Sequence, residues 1–280
     1  MPTISVLDRA DITRPSTETL LDLGCIAGIG LLVAAVHVLV PQAFQRRLAL
    51  QYHDVEILSL FTSAFVHYSD RHLLTNLFGY VVAAGLAYGL ARMAGRRHWF
   101  RRTLLALVLV GPVVVSVLSL LTLTSLVPGV SGNSRGFSGI VGGCVGMGFV
   151  ALLCWIQDRH GWATAGWVGF GIYLVLMMEL SVIYSGGVGR EVGVLAGGGL
   201  VVTGWQLWSG LGGDRVDLVL ESVFVGLVVV LLGLLVFVLF PRQLTDGGGA
   251  TTNIVAHGVG LVFGVVVSGG FIAVSETGYR

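Results

Sequence analysis

The sequence predicts an all-α polytopic membrane protein, and three features support this fold class. Apolar residues make up 55% of the 280 residues, and charged residues make up only 11%. Seven apolar segments are each long enough to cross about 30 Å of hydrocarbon as a helix. Polar or glycine-rich connections separate these segments, which comprise residues 18–40, 73–94, 103–127, 138–156, 165–184, 218–240 and 251–274.

An eighth segment, residues 192–209, is weaker because it contains three consecutive glycines. We therefore expect seven or eight helices within one domain, residues 18–274. This domain follows an N-terminal segment, residues 1–17, and precedes a C-terminal tail, residues 275–280. No short apolar core with a small-residue cleavage site follows the polar N-terminus, so the first helix is expected to be retained.

Arginines between the second and third segments predict the orientation of the chain. The cluster consists of Arg92, Arg96, Arg97, Arg101 and Arg102. Because positively charged connections tend to stay in the cytoplasm, residues 1–17 are expected inside and residues 41–72 outside. The long outer connection is expected to lie along the membrane interface as an amphipathic element.

Two residues at the heads of apolar segments form a candidate nucleophile and base. Ser138 lies in the stretch Gly136-Phe137-Ser138-Gly139, and His257 lies in Ala256-His257-Gly258-Val259-Gly260. Serine becomes a good nucleophile when a base removes its proton, and neutral imidazole is the usual base near physiological pH. Taken alone, each residue has a simpler interpretation, as a helix-packing position or a buried hydrogen-bonding histidine.

The pairing of Ser138 with His257 constrains the threading. Both helices must begin at the same membrane face, so an odd number of spans must separate them. Residues 192–209 are therefore expected to cross the membrane. This threading places residues 186–190 outside, residues 212–215 inside and residues 245–249 outside.

Small residues follow both candidates along one helical face. The four positions are Gly142, Gly146, Gly260 and Gly264. Side chains three, four, seven or eight residues apart share one helical face, and glycine there lets two backbones approach closely. Contact between these faces is expected to bring Ser138 and His257 together.

His72 and Asn76 form a third cluster at the head of the second apolar segment. They are four residues apart, so they project from one side of a helix. In acyl transfer, donors placed at the developing negative charge lower the barrier by a few kcal/mol each. The imidazole, the amide and the backbone N–H of Ser138 are candidate donors. Alone, the pair would be equally well explained as an interfacial histidine and a helix-capping amide.

These motifs together resemble those of the rhomboid family of intramembrane serine proteases. The matching elements are His67-x4-His72-x3-Asn76, Gly136-x-Ser138-Gly139 and Ala256-His257-x2-Gly260-x3-Gly264. The resemblance covers roughly residues 18–274 and implies a Ser138–His257 dyad without a carboxylate. It also implies an oxyanion site formed by His72, Asn76 and Ser138. By the same resemblance His67, Gly136 and Gly139 are structural residues of the loops.

Three departures from the family pattern are visible. Leu58-Ser59 stands where many members have a Trp-Arg pair, and Gly142 stands where many have a tyrosine that stacks on the catalytic histidine. Asn253, one turn before His257, is a candidate to orient the imidazole instead. The family has one helix between those of the serine and the histidine, whereas three are expected here. The resemblance thus implies a core of six helices with two extra helices.

The expected function is endoproteolysis of transmembrane protein substrates near the outer face of a lipid bilayer. The alternatives are a proteolytically silent rhomboid-like protein that binds membrane clients and a small-solute transporter. Neither cofactor nor metal is expected, since Cys25, Cys144 and Cys154 lack metal-ligand spacing. The net charge of +1 provides no basic field for nucleic acid. A glycine- and valine-rich, lysine-free composition suggests a prokaryotic plasma membrane.

Overall fold

A computed structural model describes residues 16–126, 131–210, 215–241 and 253–277. Its helices are α1 (Thr17–Leu39), α2 (Gln42–Leu48), α3 (Ser59–Thr62), α4 (Asp70–Met93), α5 (Arg97–Leu109), α6 (Gly111–Leu126), α7 (Ser138–Ser185), α8 (Arg190–Gly210), α9 (Arg215–Leu239) and α10 (Ile254–Thr277). Strands β1 (Leu50–Gln51) and β2 (Asn133–Ser134) form a short antiparallel pair. Among the described residues, five helices are long and apolar enough to cross a membrane, or six if α5 and α6 form one bent span. The predicted all-α membrane fold class is confirmed at this level.

The third predicted segment, residues 103–127, corresponds to the bent pair α5 and α6, which are long and apolar enough for a membrane span only together. The helical region starts earlier, at Arg97, and bends by 50° between α5 and α6. Pro112 lies at the second position of α6. Proline lacks a backbone N–H and disfavours helical geometry in the residue before it, so the bend falls at this point.

Helix α7 contains both of the next two predicted segments and reverses direction between them. A straight helix of 48 residues would reach about 72 Å, far beyond the thickness of a bilayer. Gly161 has φ 81° and ψ 171°, which interrupts the helix. A Cβ placed on Gly169 would lie 3.2 Å from Leu153, so the second arm of α7, residues 162–185, folds back against its first arm, residues 138–160. The left-handed φ explains why glycine occupies the reversal.

Helix α8 corresponds to the weakest predicted segment. It runs antiparallel to the second arm of α7, since Cβ atoms on Gly171 and Gly199 would contact Thr203 and Leu174 respectively. Helix α8 is not among the membrane-length apolar helices. Its crossing of the membrane therefore stays a prediction. Residues 212–214 and 245–249, whose sides were also predicted, lie outside the described residues.

The first arm of α7 and helix α10 run parallel at backbone contact distance. Cβ atoms on Gly260 and Gly264 would collide with the carbonyl oxygens of Gly139 and Gly143. Since the contacting residue numbers rise together along both helices, the two helices begin at the same end of the bundle. Ser138 and His257 consequently lie at one level, as the parity argument requires.

The arginine cluster lies at the opposite end of the bundle from Ser138. It is not a loop, because only residues 94–96 separate α4 from α5. Three of its arginines pair with acids of other helices: Arg96 with Asp158 at 2.9 Å, Arg97 with Glu18 at 2.7 Å and Arg101 with Asp22 at 2.6 Å. These contacts join α1 and the far end of the first α7 arm to α5. The start of α1 therefore lies at the arginine end, as expected, although residues 1–15 are outside the described residues.

Candidate active site

A cavity of ≈ 640 Å³ contains all four residues predicted to carry chemistry. These residues come from three distant parts of the chain: His72 and Asn76 from α4, Ser138 from α7, and His257 from α10. Side chains of α6 and α9 complete the wall. Ser138 is 8% exposed and His257 is 7% exposed. The fold thus gathers the predicted set around one cavity.

The loop that precedes Ser138 is held by backbone contacts. Strand β2 pairs with β1 in the register Leu50 with Ser134, and the N–H of Gly136 donates to the carbonyl of Ser63 at 2.9 Å. Gly136 has φ 133°, a backbone conformation that residues other than glycine rarely adopt. A Cβ there would also lie 2.7 Å from the His72 ring. Both the backbone angle and the nearby His72 ring therefore favour glycine at this position.

His72 and Asn76 point toward the start of α7. A Cβ on Gly136 would lie 2.9 Å from His72 Nε2 and 3.4 Å from Asn76 Nδ2. Asn76 Nδ2 is buried and has no hydrogen-bond partner among the described residues. Buried donors are normally paired, so an unpaired one needs an explanation. The backbone N–H of Ser138 is in the first turn of a helix and lacks an intrahelical acceptor.

His67 contacts the backbone just before Ser138. The N–H of Phe137 donates to His67 Nε2 at 3.3 Å, the kind of contact expected of a structural loop histidine. His67 is 3% exposed. Burial, together with the nearby charges of His72, His37 and Arg135, lowers the pKa of His67 to about 3. The ring is therefore neutral at physiological pH and can accept this hydrogen bond.

The imidazole of His257 is oriented by the end of α9. Its Nδ1 bonds the carbonyl oxygen of Leu239, and the Phe240 ring lies edge-on to it with centroids 6.2 Å apart. The last carbonyls of a helix lack intrahelical donors, and Pro241 stops α9 here. Because a carbonyl only accepts, Nδ1 carries the proton and Nε2 is left as an acceptor.

Asn253, the candidate to orient His257, bonds other groups instead. Its side-chain oxygen accepts from the N–H of Ala256 at 3.1 Å, which caps the start of α10. Its Nδ2 donates to Ser119 at 2.7 Å and to Ser134 at 3.2 Å. Asn253 therefore places the helix, whereas the end of α9 places the ring.

Gly142 has no room for a side chain because the α10 backbone lies against it. A Cβ on Gly142 would lie 2.7 Å from the carbonyl oxygen of His257, and one on Gly146 would collide with the carbonyl of Leu261. A Cβ on Gly139 would lie 2.8 Å from Val115. The predicted glycine face is thus in contact, and it leaves no room for an aromatic ring.

No hydrogen bond joins Ser138 to His257 among the described residues. Hydrogen bonds between catalytic groups are often long in an unoccupied site and tighten when substrate binds. Ser138 begins α7 and His257 lies in the first turn of α10. The contact between these helices nevertheless places both residues on the wall of one cavity.

Sequence reasoning missed two contributors to this site. The first is the end of α9 at Leu239 and Phe240. Pro241, which follows an apolar run, is the sequence feature that could have indicated this helix end. The second is Arg135, whose guanidinium carbon lies 3.8 Å from the centre of the Tyr68 ring. Both follow from contacts between residues far apart in the chain.

The described residues include no group of three histidine, cysteine or acidic side chains placed to bind a metal ion. Comparison of the chain with protein-family models, curated proteins and solved structures finds no match.

Proposed function

We propose that this protein is a multi-pass intramembrane serine endopeptidase of the rhomboid type, acting on transmembrane protein substrates. The observation that carries the proposal is the convergence of Ser138, His257, His72 and Asn76 on one cavity. These residues are separated by up to 185 positions in the chain, yet they are the set that the motif resemblance selects.

The proposed reaction begins with attack of Ser138 Oγ on the carbonyl carbon of the peptide bond. His257 Nε2 accepts the serine proton and then donates it to the leaving amine as the C–N bond breaks. Water then attacks the acyl-enzyme while His257 accepts its proton, and His257 returns that proton to Ser138 Oγ as the ester bond breaks. The bond between Nδ1 and the Leu239 carbonyl supports this role because it fixes the tautomer without a carboxylate.

The proposed oxyanion site uses Asn76, His72 and the backbone N–H of Ser138. An unpaired, buried Asn76 Nδ2 is suited to this role because its acceptor arrives only with the reacting carbonyl. Preorganised donors of this kind act most strongly on the transition state, where negative charge has developed.

The proposed rhomboid-like core comprises α1, α4, the α5–α6 pair, the first arm of α7, α9 and α10. The extra pair is then the second arm of α7 together with α8. No residue from 162 to 210 lines the cavity, which supports a peripheral position for this pair. In the proposed topology the arginine end faces the cytoplasm and the cavity lies near the outer face, in a prokaryotic plasma membrane.

Covalent labelling by a fluorophosphonate tests the proposal. Purified protein in detergent or lipid is expected to be labelled at Ser138, and Ser138→Ala and His257→Ala should each remove nearly all labelling and cleavage of a transmembrane substrate. The double variant should lose little more than either single variant, because the two residues act as a unit. Losses in log rate that add would contradict a dyad.

A second candidate function is client binding without proteolysis. It is favoured by one observation, the lack of a Ser138–His257 hydrogen bond among the described residues. A binding protein would retain its clients after Ser138→Ala and would not react with the fluorophosphonate. Labelling at Ser138 therefore separates the two candidates.

A further inference from the structure

In the described part of the chain, the charged side chains that line the cavity containing Ser138 are all positive. Among the described residues that line it are two arginines, Arg71 and Arg135, and no aspartate or glutamate. A low-dielectric cavity lined by charges of one sign focuses the field and attracts groups of opposite sign. The cavity is therefore suited to bind an anionic group.

Arg135 is the better placed of the two arginines. Its guanidinium carbon lies 3.8 Å from the centre of the Tyr68 ring, and the Tyr68 hydroxyl donates to the backbone of Asn133 at 2.5 Å. The Tyr68 ring in turn stacks on His72, with centroids 5.9 Å apart. This cation–π stack holds the guanidinium beside the proposed oxyanion site.

The charge of Arg135 is not neutralised by the described part of the protein. It forms no ion pair there, and its Nε is buried without a hydrogen-bond partner. Leaving a buried charged donor unpaired is costly. A carboxylate is the natural partner, because its two oxygens match the fork of guanidinium N–H groups.

Arg135 precedes Ser138 by three residues, and this separation limits where on a substrate the carboxylate would lie. Three residues of extended chain span at most about 10 Å. A substrate unwound for cleavage covers about 3.3 Å per residue. Arg135 can therefore reach a side chain within about three residues of the cleaved bond.

We propose that Arg135 makes the enzyme selective for transmembrane substrates with an acidic side chain within about three residues of the cleaved bond. This inference rests on the proposed protease function and names its substrate class. A lipid phosphate is the other available anion. It is disfavoured because Arg135 lies only three positions before Ser138, inside the cavity that the reacting peptide must occupy.

The test uses full-length enzyme in liposomes and substrates that differ at one position. Glutamate, glutamine or lysine is placed at each of the three positions on either side of the cleaved bond, and kcat/KM is measured. At one position or more, glutamate should be favoured over glutamine by about tenfold or more, as expected for a charge-assisted hydrogen bond. Arg135→Glu should invert the glutamate-to-lysine ratio.

Arg47→Glu is the matched control, because Arg47 lies outside the cavity on the outer segment. It should keep the wild-type ratio. Because each ratio is taken within one variant, it does not depend on the folded fraction. If Arg135→Glu does not fold, the glutamate-to-lysine ratio of Arg135→Gln and the substrate series with wild-type enzyme test the selectivity instead.

Wild-type enzyme that cleaves all these substrates equally would overturn the selectivity while leaving the protease function intact. Cleavage that depends on anionic lipid in the liposomes and not on substrate charge would assign Arg135 to headgroups and also overturn it. Failure of the protease function is recognised separately, by the absence of both Ser138 labelling and cleavage of any substrate.

Discussion

Replacing Gly260 by alanine is the sharpest test of how α7 and α10 meet. The new Cβ would collide with the carbonyl oxygen of Gly139 and lie 2.8 Å from its carbonyl carbon and 3.0 Å from its Cα. All three are backbone atoms and cannot rotate away. Since carbon atoms pack best at about 3.5–4.0 Å, the two helices must separate by about 1 Å.

Gly269→Ala is the control, because Gly269 is on the same helix and a Cβ there meets nothing within 4 Å. Alanine raises helix propensity by about 1 kcal/mol at both positions, so this contribution cancels in the comparison. The remaining difference is overpacking, which typically costs about 1–3 kcal/mol. Gly260→Ala should therefore be about 1–3 kcal/mol less stable than Gly269→Ala.

The assay is reversible unfolding in detergent, with fluorophosphonate labelling measured in parallel. A misplacement of about 1 Å between reacting groups can lower a rate by about a hundredfold, so labelling of Gly260→Ala should fall by this order while Gly269→Ala keeps its rate. Equal stability of the two variants would refute the backbone contact. A loss of stability with full labelling would refute the link between the helix contact and the Ser138–His257 geometry.

Three further outcomes are expected. Asn76→Ala and His72→Ala should each lower the turnover number about ten- to a thousandfold with little change in apparent affinity, and wild-type turnover by both folded variants would remove them from the oxyanion site. The pKa of His67, lowered from 6.5 to about 3, makes the folded state bind fewer protons than the unfolded state between those values. The contribution of neutral His67 to the free energy of unfolding should therefore be complete above about pH 6.5, and the free energy of unfolding should be about 2 kcal/mol lower at pH 5. In thermal unfolding, His67→Gln should show a weaker dependence of stability on pH. With the native cysteines replaced, Gly187→Cys should react with an impermeant thiol reagent from outside and Gly210→Cys from inside; outside labelling of Gly210→Cys would show that α8 does not cross.

Helix positions were predictable from sequence because they depend on local composition. Runs of apolar residues long enough for hydrocarbon identify α1, α4, α9 and α10 to within a few residues. The contact of α10 with α7 through Gly260 and Gly264 was also predictable, because small residues at helical spacing permit close backbone approach. The motif residues His72 and Asn76 share one helix, so their common face follows from the helical period.

Tertiary structure alone decided how His257 is oriented and where Arg135 lies. The acceptor for His257 is the main-chain carbonyl of Leu239, and a carbonyl is common to every residue, so no residue type marks it in a sequence. The bend at Pro112 and the reversal at Gly161 set the directions of the helices. Each depends on the φ and ψ angles of single residues, and a run of apolar residues in the sequence does not reveal these angles. The Arg135–Tyr68 stack joins residues 67 positions apart, and only the packing of the segment before α4 against the segment before α7 brings them together.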